Sequence, residues 1–189
     1  MQKDARYAAF VTAADELFME KGIGSTSVGD ITKRVGVARS LFYHYFEDKQ
    51  GIVDAVIDSR VNDFMEYVRE WTRSLDGGDF SSALLNLVKL MRGYLHSPTS
   101  LGSRIIRERD AGLYHRFVVR SSILLSEHFV STRKERGALI HYTHTRHPAE
   151  SFYVLSVGVM SMMVRNPEVT DEVIADVIAE TLCIDMDSQ

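Results

Sequence analysis

The sequence has little proline and almost no cysteine: three prolines and one cysteine occur in 189 residues. Proline interrupts helices, so its scarcity favours a helical protein. The single Cys183 cannot form an intramolecular disulfide bond, which is typical of a reducing, cytoplasmic environment. Because Cys183 lies between Leu182 and Ile184, we interpret it as a small apolar core residue.

Long apolar segments are also missing. The longest uncharged apolar stretch, residues 151–164, is 14 residues long, whereas a membrane-spanning helix needs about 20. The first residues are charged and lack the apolar core of a secretion signal. The sequence therefore predicts a soluble, cytoplasmic protein with no membrane partner.

The chain has no excess of positive charge, although such an excess is common in DNA-binding proteins. Its net charge is −4. Residues 1–50 contain seven basic and seven acidic side chains, and the rest of the chain contains 15 basic and 19 acidic ones. A neutral amino-terminal part can still bind DNA if its cations lie on one face.

Apolar residues recur every three to four positions along most of the chain, and no convincing alternating strand pattern occurs. We predict an all-α fold of about nine helices. A three-helix head is followed by a long fourth helix of about 39 Å, which joins the head to a helical body. The helices are predicted at about residues 3–21, 28–35, 39–46, 49–75, 80–96, 100–109, 113–136, 149–165 and 170–184.

Residues 25–49 contain a recognisable motif. Two short helices joined by a glycine-containing turn at residues 36–38 match the helix-turn-helix, whose second helix enters the major groove of DNA. Phe42 and Phe46 are four residues apart on that second helix, so we expect both in the core. Residues 43–45 are then partly exposed, where their polar atoms can reach phosphates or bases.

The head also shows a longer pattern of residue types at fixed spacing. It consists of Phe10-Val11, Ala13-Ala14, Leu17-Phe18, Gly22, Ser25-Thr26-Ser27, Asp30-Ile31, Gly36-Val37, Phe42-Tyr43, Tyr45-Phe46 and Lys49. In order and spacing, over about 45 residues, this pattern resembles the head of the TetR family of helix-turn-helix regulators. The resemblance implies a DNA-binding domain in residues 1–48 and an effector-binding and dimerisation domain in residues 49–189.

The resemblance implies a sequence-specific transcriptional regulator. It implies a homodimeric repressor that binds a palindromic double-stranded DNA operator. A small-molecule effector of unknown identity is then expected to release the repressor from the operator. No cofactor and no enzymatic activity are implied. One alternative is a helical adaptor or structural dimer that no longer binds DNA. Another is an enzyme with its active site in the body, but no phosphate-binding glycine loop, HExxH motif or nucleophile signature supports it.

The resemblance also implies positions for DNA contacts. Residues near the DNA backbone are Thr26, Ser27, Tyr43, Tyr45 and Lys49, and those near base edges are Arg39, Ser40, Leu41 and His44. Lys33 and Arg34 either approach the backbone or only solubilise the head. For Leu41 the alternative to a base contact is packing in the core. For His44 the alternative is a solvated position on the surface. Ala38 departs from the family pattern, which has serine or threonine at the cap of the recognition helix.

In the body the resemblance implies an effector pocket but supplies no motif for it. The candidate lining residues are Met91, Tyr94, Arg104, Arg107, Tyr114, Phe117, Leu124, His128 and Tyr153. Arg104 and Arg107 are three residues apart and either face an anionic effector or form a solvated surface. Each of the other candidates is equally compatible with plain core packing.

The last two predicted helices have the apolar pattern that a dimer interface requires. The helix at about residues 149–165 is apolar nearly all round, so we expect it to be covered on both sides, either by a second copy or within one chain. The predicted interface residues are Phe152, Leu155, Val159, Met162, Met163, Val173, Val177 and Ile178. His141 and His144 have the spacing of metal ligands, but no cysteine or carboxylate lies nearby, so we predict no metal site.

Overall fold

The computed structural model describes residues 2–74, 80–132 and 145–184, and these form nine α-helices and no β-strand. The predicted all-α fold is confirmed, with most helix ends within a few residues of their expected positions. None of the described helices combines the length and the hydropathy that a membrane span requires. The helices are α1 (Gln2–Lys21), α2 (Val28–Val35), α3 (Arg39–Phe42), α4 (Lys49–Arg73), α5 (Phe80–His96), α6 (Leu101–Glu108), α7 (Ala111–Ser131), α8 (Pro148–Arg165) and α9 (Asp171–Thr181).

The helices α1, α2 and α3 form the head around an aromatic core. Phe10 of α1 and Phe42 of α3 are completely buried, and their rings meet edge to face with centroids 5.7 Å apart. Phe46 is also buried and lies 6.0 Å from Phe10. Edge-to-face contacts are a preferred geometry of aromatic pairs. The expected core positions of Phe42 and Phe46 are therefore confirmed.

The long helix α4 belongs to both parts of the molecule. Asp48 caps its start by accepting a hydrogen bond from the Gly51 amide at 2.9 Å. Near the head, Arg60 of α4 forms a bidentate ion pair with Asp15 of α1, with N···O distances of 3.0 and 2.6 Å. Near its other end, the Trp71 indole donates a hydrogen bond to the Ala83 carbonyl of α5 at 2.8 Å. Both ends of α4 are thus fixed by partners distant in sequence.

The body consists of α5 to α9 around an apolar core. Phe129 of α7 packs against Phe152 of α8 with ring centroids 5.1 Å apart. Arg92 of α5 attaches the segment that precedes α9, because its guanidinium donates to Asp171 at 2.5 Å and to the Val169 carbonyl at 2.7 Å. These contacts set the direction of α9 beside α8.

Two local expectations were wrong. The third helix ends at Phe42 rather than continuing to Phe46, since residues 43–45 form a turn. Cys183 is exposed, not buried, because the chain leaves α9 through a left-handed residue at this position, with φ of 52°. The Cys183 side chain therefore points outward while Leu182 and Ile184 on either side are buried.

Candidate DNA-binding site

The helix α2 is held at its start by a reciprocal pair of hydrogen bonds. The Ser27 hydroxyl accepts from the Asp30 amide at 3.1 Å, and the Asp30 carboxylate accepts from the Ser27 amide at 2.8 Å. This arrangement is a capping box, which satisfies otherwise unpaired amides of the first turn. Lys21 and Ser27 bond to the same carboxylate and hold the pKa of Asp30 well below its usual value.

The turn between α2 and α3 depends on glycine at one position. Gly36 has φ of 74°, in the left-handed region that side chains disfavour, and its amide bonds to the last carbonyls of α2. Ala38 then starts α3 in an extended conformation, with no side-chain hydrogen bond to the helix amides. The turn direction is thus encoded by Gly36, whereas the start of α3 lacks a cap.

One face of α3 is exposed. Arg39, Ser40, Tyr43 and His44 are all exposed, whereas Phe42 on the opposite side is completely buried. Arg39 donates a hydrogen bond to the Tyr43 hydroxyl at 3.0 Å, and its guanidinium lies 5.7 Å from the centre of that ring. A planar guanidinium held over an aromatic ring loses less side-chain freedom when it binds a base or a phosphate.

Leu41 and Tyr45 have intermediate exposure and pack against the head core. Both can still present their outer atoms at the surface of α3. Among the cations of α2, Lys33 is exposed. Arg34 is held by Glu16 at 3.1 Å and Glu20 at 2.7 Å, and its hydrogen bond lowers the pKa of Glu20.

Two expected backbone contacts, Thr26 and Lys49, have other partners in the head. Thr26 is only 1% exposed, and its hydroxyl donates to the Gly22 carbonyl at 2.7 Å, so the hydroxyl faces α1 rather than solvent. The Lys49 ammonium donates to the carbonyls of Ile23 at 2.6 Å and Gly24 at 3.3 Å. Both residues therefore hold the loop between α1 and α2.

No pattern in the sequence indicates the contact that this loop makes with the body. Glu108, the last residue of α6, accepts hydrogen bonds from the Ile23 and Gly24 amides. These partners are 85 and 84 positions apart in the chain. Arg104, expected at an effector, instead donates to the Phe18 carbonyl of α1 at 3.0 Å. Long-range pairs of this kind have no periodicity or motif that a single sequence reveals.

A groove of about 590 Å³ lies between α4, α5 and the start of α6. Tyr94 lines it, and the Tyr94 ring stacks on Phe64 at 4.1 Å and on Phe117 at 5.6 Å. The Tyr94 hydroxyl is buried, accepts and donates no hydrogen bond within the described part of the chain, and has a pKa raised by burial.

The other predicted pocket residues are dispersed. Met91 lines a separate apolar cavity of only about 30 Å³. Phe117 is fully buried, Leu124 and Tyr153 are half-buried, and Arg107 is exposed and bonded to Ser103. Tyr114 approaches the Met160 carbonyl at 3.5 Å, and His128 hydrogen-bonds to Thr72 at 2.8 Å. No one cavity among the described residues brings these side chains together.

An apolar groove of about 560 Å³ runs between α8 and α9. Four predicted interface residues line it: Leu155, Val159, Met162 and Val177. Val154 is 67% exposed beside them, and Val173 on α9 is 49% exposed. Phe152, Met163 and Ile178 lie in the chain's own core instead, because they are on the faces of α8 and α9 that pack against the body.

The histidine segment cannot be placed, since His141 and His144 lie outside the described residues. Across residues 2–74, 80–132 and 145–184, no three His, Cys, Asp or Glu side chains gather as metal ligands would.

Comparison with known proteins identifies the head. Residues 10–56 match the family described as bacterial regulatory proteins, tetR family. The head of the chain is therefore similar to the heads of this family. The match includes α2, the turn at Gly36, α3 and the first turns of α4. The family is one of regulators rather than enzymes, so the alternative of an enzyme is not favoured.

Curated regulators match about a third of the chain. The fatty acid metabolism regulator protein of Bacillus subtilis is 32% identical over 69 residues, which are 36% of this chain and 36% of that protein. The regulator EthR of Mycobacterium tuberculosis is 32% identical over 59 residues, 31% of this chain and 27% of its own length. These matches therefore span about a third of each relative.

Solved structures match nearly the whole fold. RolR in complex with resorcinol has a TM-score of 0.69 at 14% identity and covers 98% of this chain and 91% of its own. The tetR-family repressor AlkX from Dietzia sp. has a TM-score of 0.62 at 17% identity and covers 94% of this chain and 95% of its own. At such identities the likeness concerns the fold, including that of the body.

Proposed function

We propose that the protein is a dimeric, sequence-specific DNA-binding regulator of transcription, a repressor that a small-molecule effector releases from its operator. The exposed face of α3 carries this proposal. It presents Arg39 and Ser40 on the helix and Tyr43 and His44 on the turn that follows, and Gly36 and Phe42 hold this unit in a fixed orientation. A second helix displayed in this way fits the major groove.

Within this proposal the residues of the head have separate roles. Arg39, Ser40 and the outer atoms of Leu41 face base edges from α3, and His44 does so from the turn that follows it. Arginine can bond to guanine with two donors, and an aliphatic group can contact the thymine methyl.

Backbone contacts come from the exposed residues around α3. The side chains of Lys33, Tyr43 and Tyr45 serve this purpose, because phosphates bind cations and hydroxyl groups. Ser27 is bonded to Asp30 through its amide and its hydroxyl, so it supports the start of α2 instead. Thr26 and Lys49 support the site indirectly by holding the loop between α1 and α2.

We place dimerisation at the groove between α8 and α9. Its lining is mainly aliphatic, and Val154 is exposed beside it. An exposed apolar patch of this kind is typical of a protein interface. A second copy related by two-fold symmetry would apply its own Val154 and Leu155 to the same surface, as an isologous interface requires.

We place the effector in the groove beside Tyr94. A volume of about 590 Å³ suits a drug-sized molecule. Buried hydroxyls in proteins nearly always have a partner. The Tyr94 and Ser121 hydroxyls are close enough for Ser121 to lower the pKa of Tyr94, but neither has a hydrogen bond of ordinary geometry within the described residues. A polar group of the effector can supply that partner. The walls at Phe64 and Leu101 then connect the ligand to α4 and α6.

The test is selection of bound sequences from a random duplex library with the purified full-length protein. We expect a two-fold symmetric site whose half-sites are roughly 34–36 Å apart. The binding constant should fall with rising salt, since phosphate contacts release counterions. Enrichment of no sequence, with equal affinity for every duplex, would contradict the proposal and favour an adaptor that does not read DNA.

A further inference from the structure

The head and the body are joined at a second place besides α4. Glu108 at the end of α6 binds two consecutive peptide groups of the head: its carboxylate oxygens lie 2.6 Å from the Ile23 nitrogen and 3.1 Å from the Gly24 nitrogen. Hydrogen bonds to an ionised carboxylate are about twice as strong as neutral ones. We call Arg104 and Glu108, with these contacts, the α6 bridge.

Arg104 supplies the other half of the α6 bridge. Its Nε donates to the Phe18 carbonyl at 3.0 Å, near the carboxyl end of α1, where a cation is favoured by the helix dipole. Arg104 also lies 3.7 Å from Glu108, and both side chains are only 21% exposed. The bridge is therefore partly shielded from solvent and contacts α1 as well as the loop.

The loop is shaped to receive the α6 bridge. Gly22 has φ of 97°, and a Cβ atom there would lie 2.9 Å from Glu108 Oε1 and 3.3 Å from Arg104 Nη2. From the other side, Lys49 binds the carbonyls of the same Ile23 and Gly24. Ile23 and Gly24 are thus held through their carbonyl oxygens by the first residue of α4 and through their amide nitrogens by α6.

This second attachment has a geometric consequence. A head joined to the body by α4 alone could rotate about that helix, whereas a head held at two separate places keeps one orientation. In a two-fold dimer the orientation of each head sets the separation of the two α3 helices. That separation must match the spacing of the two half-sites.

We propose that Glu108 is a positioning residue that fixes the head relative to the body and thereby limits the half-site spacing that the dimer accepts. The inference rests on the proposed function, because it needs a dimer that reads two half-sites. It means that Glu108, a residue of the body that does not touch DNA, contributes to the choice of operator.

The experiment measures affinity for a series of operators whose half-sites are separated by one base pair more or fewer than in the selected site. Each added pair moves a half-site by about 3.4 Å and turns it by about 35°. We expect the wild-type protein to lose about 10-fold in affinity, comparable with one mismatched base pair. Glu108→Gln, which keeps the shape but not the charge, and Glu108→Ala should lose about 3-fold or less relative to their own best spacing.

Glu127→Gln, at an exposed glutamate of α7, is the matched control and should keep the wild-type profile. Amide hydrogen exchange gives a readout that does not involve DNA: the Ile23 and Gly24 amides should exchange faster in Glu108→Ala, while those in the middle of α1 should not. A wild-type spacing profile in both Glu108 variants would overturn the spacing role alone. A wild-type protein that binds no two-fold site would overturn the dimeric DNA reader and the spacing role together.

Discussion

At the scale of single residues, Arg39 is the side chain best placed to read a base. It is exposed on α3 and already oriented by Tyr43. We expect Arg39→Ala to cost about 1–3 kcal/mol of binding free energy for operators with guanine at one position, and much less for other bases there. Affinity measured on a panel of operators with single base changes tests this. A uniform loss over the whole panel would mean that Arg39 contacts a phosphate.

Lys33 and Lys49 provide a paired prediction about phosphates. Lys33 is exposed and occurs once in each subunit of the proposed dimer. Lys33→Ala should therefore reduce the slope of log affinity against log salt by about 1.8, the effect of two phosphate contacts at about 0.9 each. Lys49 is bonded to loop carbonyls, so Lys49→Ala should leave the slope unchanged and lower the thermal stability. If the Lys49 variant instead loses the same slope with unchanged stability, its ammonium binds DNA.

Asp30 makes the stability of the head depend on pH. Its pKa in the folded protein is below the ordinary value of 3.8, because Lys21 and Ser27 bond to the ionised form. This stabilisation is therefore complete above pH of about 4 and is lost as the pH falls below that value. We expect wild type to exceed Asp30→Asn in urea stability at pH 7, with the difference shrinking towards pH 3. Asp176→Asn, an exposed position on α9, should show no such difference.

At the scale of secondary-structure elements, α3 lacks a side-chain cap. Ala38 has the extended conformation that a capping residue needs, with φ of −67° and ψ of 146°, but has no oxygen to bond. Ala38→Ser should stabilise the protein by about 1 kcal/mol, which raises Tm by roughly 2–4 °C for a chain of this size. Ala38→Val, whose side chain also lacks an oxygen, is the control in the same calorimetric series and should give no such stabilisation. Equal stabilities of the serine variant and wild type would count against a capping effect.

The comparison between sequence and structure also differs from element to element. The existence of α2 and α4 was predictable, because each has a strong apolar period and a capping residue, Ser27 or Asp48. The end of α3 was not. Phe42 and Phe46 are both buried, as a continuous helix would require. Residues 43–45 form a turn instead of helix, and this turn also brings Phe46 into the core.

The site was predictable only where exposure follows from the helix period. The outward face of α3 could be read from the sequence once Phe42 was placed inside. The burial of Thr26 could not, since Ser25, Thr26 and Ser27 are chemically similar capping candidates, and tertiary packing chooses among them. The pocket residues are harder still, because a cavity is created by side chains from several helices that no local pattern relates.

At the scale of the whole molecule, the groove between α8 and α9 predicts how the dimer can be broken. Val154→Asp places a charge on an apolar surface that we assign to the interface. An unpaired charge buried there costs several kcal/mol, so the dimer dissociation constant should rise at least about 100-fold. Sedimentation equilibrium measures it. Tyr67→Asp, at an aromatic residue of α4 that is 60% exposed, is the control and should remain dimeric. A Val154 variant that stays dimeric would place the interface elsewhere.

The ion pairs of the head affect how quickly the protein finds its target. Lys21 is occupied by Asp30, Arg34 by Glu16 and Glu20, and Lys49 by backbone carbonyls. Attraction to arbitrary DNA scales with the number of phosphates that free cations neutralise. In the proposed regulator, we therefore expect brief residence on non-target DNA and short sliding tracks. Its search for the operator should then proceed mainly through repeated encounters from solution, with much of the protein unbound between them and accessible to an effector.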